Sequence, residues 1–547
     1  MVVNIILFII FFILSTISLS GLGTILNQNK KNFLLNIIFG YLIVGTLITF
    51  IHFFLAINHF VIAIIFLIGL ILNFQNFIFS HKSLKKKNYF LILVICILIP
   101  IFISQKYHED FGYYHLPHII NLANEKIIFG LGNVNDGFVH NSIWLNILPL
   151  FYIYNDYSFV TLSTFLLYVI FIIFSIEQII SHNKYSESNY FFIICIFYLI
   201  LKFTRISEFG NDIPALIYSI LGIFFFLKYE EEDNLEKKKN IFFAHFSFVV
   251  FAILIKFSTL PIILLTLYIF IKNFKKIIKE IFKYNYIIIY LLAILFFVQQ
   301  FIYTGCFVFP SQITCFDVSW FNNDFLNLGK NLELVNKSYS EAYEFISSDE
   351  YLVNFNWLPY WFKRNYLEFT EHLLTMLIPV ILYLLLLSNK NNCIYKSYSF
   401  KILILFTLIG FCFWFTFSPV YRFGVLYFLS MIYIITVKFY NKKTFSKKIF
   451  LILLVIFFIF NFSKNIHRIS KKNYVTFGID NIKNDYISYN NYFTNSPISV
   501  FKPNIEANNL KGNGWQGRLC WDIPFICSYN KIKVDLINYY YVISKLN

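Results

Sequence analysis

Two carboxylates and three histidines fall within eleven residues of this chain, in Tyr107-His108-Glu109-Asp110-Phe111-Gly112-Tyr113-Tyr114-His115-Leu116-Pro117-His118. An acid beside an imidazole suits proton transfer or cation binding, and at a bilayer surface such a grouping is costly unless it is used. Asp110 stands first as a general base, with Glu109 beside it and His115 to orient it or to receive a departing anion. The bland alternative is a solvated helix end. Pro117 fits the first turn of a new helix, which would carry His118 along the membrane. The same connection continues through Gly130-Leu131-Gly132-Asn133 to Asn141-Ser142-Ile143-Trp144.

Other polar residues stand at the ends of apolar runs. In Arg205-Ile206-Ser207-Glu208-Phe209-Gly210-Asn211-Asp212-Ile213-Pro214, a tight turn explains Gly210 and Asn211, and helix capping explains Asp212. Neither explains Arg205 and Glu208, so turn and site both stay open. Lys256 and Arg422 are lone cations at helix corners, where snorkelling is the default account. Taken with Arg205, they are the cations that a phosphate-bearing ligand would need.

The elements that must position these groups are membrane helices. The chain has 547 residues, 58% hydrophobic and only 14% charged, with a mean hydropathy of +0.65. A soluble domain carries about 25% charged residues, so this chain lacks the polar surface to cover itself in water. Apolar runs recur at spanning length, and the pattern predicts an all-α polytopic membrane protein of roughly fourteen helices. The run Val2–Leu19 has no basic leader and is read as a retained helix. The net charge of +16 would suggest nucleic acid in a soluble protein. Here the lysines cluster in alternate short connections, which is a topology signal, and the expected partner is the bilayer.

That lysine pattern divides the chain. Residues 1–104 are N-terminal spans, 105–156 an extracytoplasmic acidic and histidine loop with a re-entrant or interfacial segment, and 157–304 central spans. Residues 305–370 form a second outer loop, 371–463 the last spans, and 464–547 a small extracytoplasmic tail. Cys306 with Cys315 and Cys520 with Cys527 fall as two close pairs on the outer face, where disulfides persist; the alternative is four free thiols. The tail reads as a small lid. No Walker loop, dinucleotide fingerprint, nucleophile elbow or zinc helix is present, which argues against an ATP-driven pump.

The ordered motifs resemble a family of uncharacterised bacterial multi-pass membrane proteins. They are Asp110-Phe-Gly-Tyr-Tyr-His115, Gly130-Leu-Gly-Asn133, Asn141-Ser-x-Trp144, the Arg205–Pro214 stretch, the Gly305–Trp320 block, Arg422-Phe-Gly424 and the Cys520–Cys527 segment. That family supplies no activity. The arrangement also looks like the glycosyltransferase C superfamily, whose members carry an acidic motif in an outer loop and use polyprenyl-phosphate-linked sugars. Here the acidic loop follows the fourth expected span, where the superfamily has it after the first, and the Trp-Trp-Asp motif of oligosaccharyltransferases is absent. The resemblance implies a sugar transferase on the outer face of a bacterial inner membrane. Asp110, Glu109 and His115 would do the chemistry, with substrate held by His118, Asn141, Trp144, Arg205, Glu208, Asp212, Lys256 and Arg422. A divalent metal is left open, since no ligand set is visible. The alternatives are a flippase for a lipid-linked glycan and a non-catalytic partner in glycan assembly.

Overall fold

A computed structural model describes residues 2–27, 32–78, 87–105, 110–153, 157–181, 186–202, 210–389, 400–470, 475–476, 489–491, 500–503, 520, 526–528 and 530–546. The sites expected at Glu109, Arg205 and Glu208 lie outside the described residues, as does most of the Gly512–Cys527 stretch.

The helices run α1 (Val2–Gly23), α2 (Phe33–His52), α3 (His59–Ile78), α4 (Lys87–Ile103), α5 (Leu116–Asn124) and α6 (Ile143–Ile147). Next come α7 (Thr161–Ser181), α8 (Glu187–Lys202), α9 (Asp212–Glu231), α10 (Leu235–Ile255), α11 (Ile263–Lys272), α12 (Phe274–Ile281) and α13 (Tyr284–Thr304). The last set is α14 (Asp324–Asn336), α15 (Ser348–Leu352), α16 (Leu358–Leu386), α17 (Phe400–Phe417), α18 (Tyr421–Tyr440) and α19 (Lys447–Ile469). The chain is an all-α polytopic membrane protein. Among the described residues, ten helices are long and apolar enough to cross a bilayer, or eleven if the sharply bent stretch through α11 and α12 is one crossing. The other expected segments also form helices, but their described apolar stretches are shorter. Length and composition therefore carry ten or eleven crossings, against the roughly fourteen expected.

Helices of similar apolarity differ in how far other helices enclose them. In α7 nearly every side chain is buried, while α16 and α17 are mostly uncovered by protein. The first helices meet at backbone contact. A Cβ on Gly21 would lie 1.9 Å from the Gly69 carbonyl oxygen, and one on Gly40 would lie 2.1 Å from that of Leu19. Small residues at helix interfaces allow this approach in a membrane.

Among the described residues, the lysine-bearing connections flanking α10, α11 and α12 meet at one end of the bundle. Lys272 pairs with Glu230 at 2.7 Å, and Lys239 and Lys283 both reach Glu280. The long polar connections gather at the other end. There the antiparallel hairpin Ile532–Ile537 with Tyr540–Lys545 lies along Phe129, whose N–H donates to the Tyr541 carbonyl and whose carbonyl accepts from the Ile543 N–H. Asn133 donates to the carbonyls of Trp320 and Ile543, so one amide ties the loops of residues 105–156 and 305–370 to the tail. Gly130, at φ +69°, makes this docking possible, because a Cβ there would sit 2.0 Å from the Ile543 carbonyl oxygen. Gly130→Ala is expected to cost at least about 2 kcal/mol, from left-handed strain and that clash together. A lowered thermal-aggregation midpoint of the purified chain would show it.

Every side chain of α6 and of the following turn Leu148–Phe151 is buried, so the segment expected to be re-entrant or interfacial is enclosed by the rest of the chain. Disulfides join Cys306 to Cys315 and Cys520 to Cys527.

Candidate functional site

Three helix ends meet at the end of the bundle where the polar connections gather. Asp212 is the first residue of α9, where a carboxylate complements the helix dipole, and Lys256 caps the C-terminus of α10, where a cation does the same. Arg422 is the second residue of α18. Lys256 donates to one Asp212 oxygen, and the Arg422 Nε lies 3.1 Å from the other. One carboxylate thus holds two cations side by side. The Lys256 ammonium also lies 3.3 Å from the centre of the Phe423 ring, a cation–π contact. The three side chains are partly open, at 30% for Asp212, 22% for Lys256 and 46% for Arg422, so an approaching anion has access.

Backbone bonds fix these corners. Trp361 and Trp414 donate their indole N–H groups to the carbonyls of Pro419 and Val420, at 2.8 and 2.7 Å, setting the entrance to α18. The Tyr427 hydroxyl donates to Ser258, and Ser142 donates to Ile255, which draws the histidine loop against the end of α10. Trp414→Phe is expected to cost about 1 kcal/mol for the lost bond and to loosen Arg422. Thermal aggregation measures the first effect and ligand affinity the second.

Asp110 acts on this cluster. It opens the π-helical turn Phe111–His115, and its charge is felt at Tyr114, His140, Asp212 and Lys256. Burial pushes the Tyr114 hydroxyl above its ordinary range, with the Asp110 and Asp212 charges adding to the shift. Tyr114 packs so closely on Gly137 that a Cβ there would meet its ring at 2.4 Å. The His140 side chain is exposed in this loop, and the Asp110 charge favours its protonated form while Lys256 opposes it. Burial likewise lowers the Lys256 ammonium to about 8, with Asp212 opposing and Arg422 adding. The assembly is a carboxylate and an imidazole within electrostatic range of two cations that share a second carboxylate. Such a set offers charge for an anion and a base for a proton.

The remaining expected residues divide. His115 is buried with its ring against Tyr114, next to the cluster. His118 is drawn into a buried polar network, its Nε2 lying 3.4 Å from the Asn146 side-chain oxygen. Asn146 donates to Thr49 and Gln299, and Gln299 donates to Tyr303. Burial lowers His118 to about 4. Its role here is to hold α5 against α6 and α13. Asn141 uses its amide on the Phe296 carbonyl, at 3.2 Å. Trp144 is fully buried in the core, its ring 5.2 Å from that of Tyr41. Sequence reasoning did not single out Tyr114, His140 or Phe423. His140 adjoins Asn141 in the same loop and was the readable signal; Phe423 was one of seventy-one phenylalanines. Among the described residues, no group of three His, Cys, Asp or Glu side chains is placed to hold a metal.

The chain belongs to a family described as a domain of unknown function, DUF8201, whose model matches residues 1–429. The match takes in Asp110, Asp212, Lys256 and Arg422 and stops within α18. No curated protein and no solved structure matches the chain.

Proposed function

We propose that this protein is a membrane glycosyltransferase of the glycosyltransferase C type. It would move a sugar from a polyprenyl-phosphate donor to an envelope acceptor on the extracytoplasmic face of a bacterial inner membrane. The observation that carries the reading is the Lys256–Asp212–Arg422 cluster at the ends of membrane helices, with the Asp110 carboxylate in its field. Two cations at a bilayer boundary suit a lipid phosphate, and a nearby carboxylate suits an acceptor hydroxyl.

In this mechanism the donor phosphate lies against Arg422 and Lys256. Asp110 takes the proton of the acceptor hydroxyl as its oxygen bonds to the anomeric carbon. The bond from that carbon to the phosphate oxygen breaks, and the electron pair leaves with the lipid phosphate. The cations stabilise the charge developing there, an effect strongest where water is sparse. Asp212 touches neither reacting atom; it positions Lys256 and Arg422. A divalent ion on the phosphate would add to the neutralisation, but the reading does not require one.

Deleting the gene is the direct test. Lipid-linked sugar precursors should build up intact on the outer leaflet and disappear on complementation. Precursors trapped on the inner leaflet would replace this reading with flipping, and an unchanged precursor and glycan profile would end it.

The Lys256 charge gives a pH dependence. The ammonium is held below its ordinary range at about 8, so it is charged below that pH and neutral above. Attraction for phosphate therefore weakens as pH rises through about 8. An alkaline limb is expected in the transfer rate at low donor concentration, and Lys256→Arg should remove it because a guanidinium stays charged. A limb unchanged in that variant would assign it to another group.

A further inference from the structure

The helix α13 leaves one stripe uncovered by protein. Ile287, Leu291 and Ile294 are exposed, and the half-buried Val298 and Phe301 follow on the same face at spacings of three and four. In a membrane helix such a stripe faces hydrocarbon. It does not stop where the helix does. Gly305, at φ +81°, ends α13, and the chain enters the loop closed by Cys306 and Cys315, which contains no charged residue. Phe307 stacks on Phe301 at 4.8 Å, and Phe316 meets both rings edge-on at 5.8 Å. Trp320 donates its indole N–H to the Phe301 carbonyl, in the position of an interfacial anchor. Ile313, at the loop's tip, is 95% exposed, and Phe316 is 53% exposed.

The opposite side of this loop faces the candidate site. The Phe309 ring lies 6.1 Å from that of His140, edge to face, and 6.2 Å from Phe325. The loop therefore has a polar-site side that is packed and a second side that continues a lipid-facing stripe.

We propose that the Cys306–Cys315 loop is inserted in the bilayer, with Phe307, Ile313 and Phe316 at the boundary between headgroups and hydrocarbon. Its occupied partner is the lipid surface at the end of the bundle that carries Asp212, Lys256 and Arg422. An uncharged apolar loop continuous with a span is stabilised there and not in water. Its closure by a disulfide lets it present these side chains while Phe309 stays on His140.

The test places an environment-sensitive fluorescent amino acid at Ile313 in the full chain, reconstituted in vesicles of phosphatidylethanolamine and phosphatidylglycerol. Ile313 makes so little contact with protein that the replacement should not disturb folding. A probe at Asp349, whose side chain is 81% exposed, serves as the aqueous reference. The Ile313 probe should emit to the blue of the reference, be quenched by lipids carrying a nitroxide near the headgroup, and resist iodide several-fold better. Iodide quenching equal to the reference would put the loop in water. Protection from both quenchers would mean that protein covers it. Either result overturns the proposal, and neither depends on sugar transfer.

Discussion

An Asp110→Asn chain is expected to fold, insert in the membrane and bind its donor, yet to lose about 10²–10⁴-fold in sugar transfer, the usual contribution of a positioned general base. The amide keeps the shape of the carboxylate but cannot accept the hydroxyl proton. Removing its charge should also leave Lys256 and Arg422 with more pull on phosphate, so donor affinity should hold or rise while turnover collapses. That split separates a base from a binding residue. Membrane vesicles from cells carrying the variant, supplied with lipid-linked sugar, measure both. Full transfer with an unchanged glycan profile would remove Asp110 from the mechanism.

Loss of Asp212 should act differently. Asp212→Ala leaves two cations side by side without the anion that holds them, and like charges so placed repel. Breaking a fully buried pair costs roughly 3–5 kcal/mol; these side chains are partly hydrated, so about 2 kcal/mol is the expected loss. Transfer should fall with it as Arg422 and Lys256 lose their positions, and the alkaline limb should move to lower pH because Lys256 loses the charge that supports its proton. Asp212→Glu restores the charge and should recover most of the stability. Thermal aggregation of wild type and the two variants in one detergent gives the first comparison, and a pH series of transfer gives the second. An Asp212→Ala chain as stable as wild type, with the limb unmoved, would show that the ion pairs contribute nothing.

Much of the frame was readable along the chain because it is a local property. An apolar run of spanning length must bury its backbone hydrogen bonds within itself, so it forms a helix wherever it falls. Helix ends were readable for a similar reason: Asp212 at the start of α9 and Lys256 at the end of α10 sit where a carboxylate and a cation complement the dipole. Which helices are enclosed was less readable. Apolarity does not distinguish a lipid-facing helix from one enclosed by others, as α7 and α17 show.

By itself, then, the sequence determined that this is a helical membrane protein with its unusual polar groups at helix ends, since composition and periodicity act over neighbouring residues. Only the tertiary structure decided which of those groups meet. Asp212, Lys256 and Arg422 share an ion cluster because α9, α10 and α18 pack together, while Trp144 and His118, equally prominent as residues, were drawn into the core and a buried network. A side chain's chemistry is written in its type, but its neighbours come from packing between distant segments, which no local pattern records.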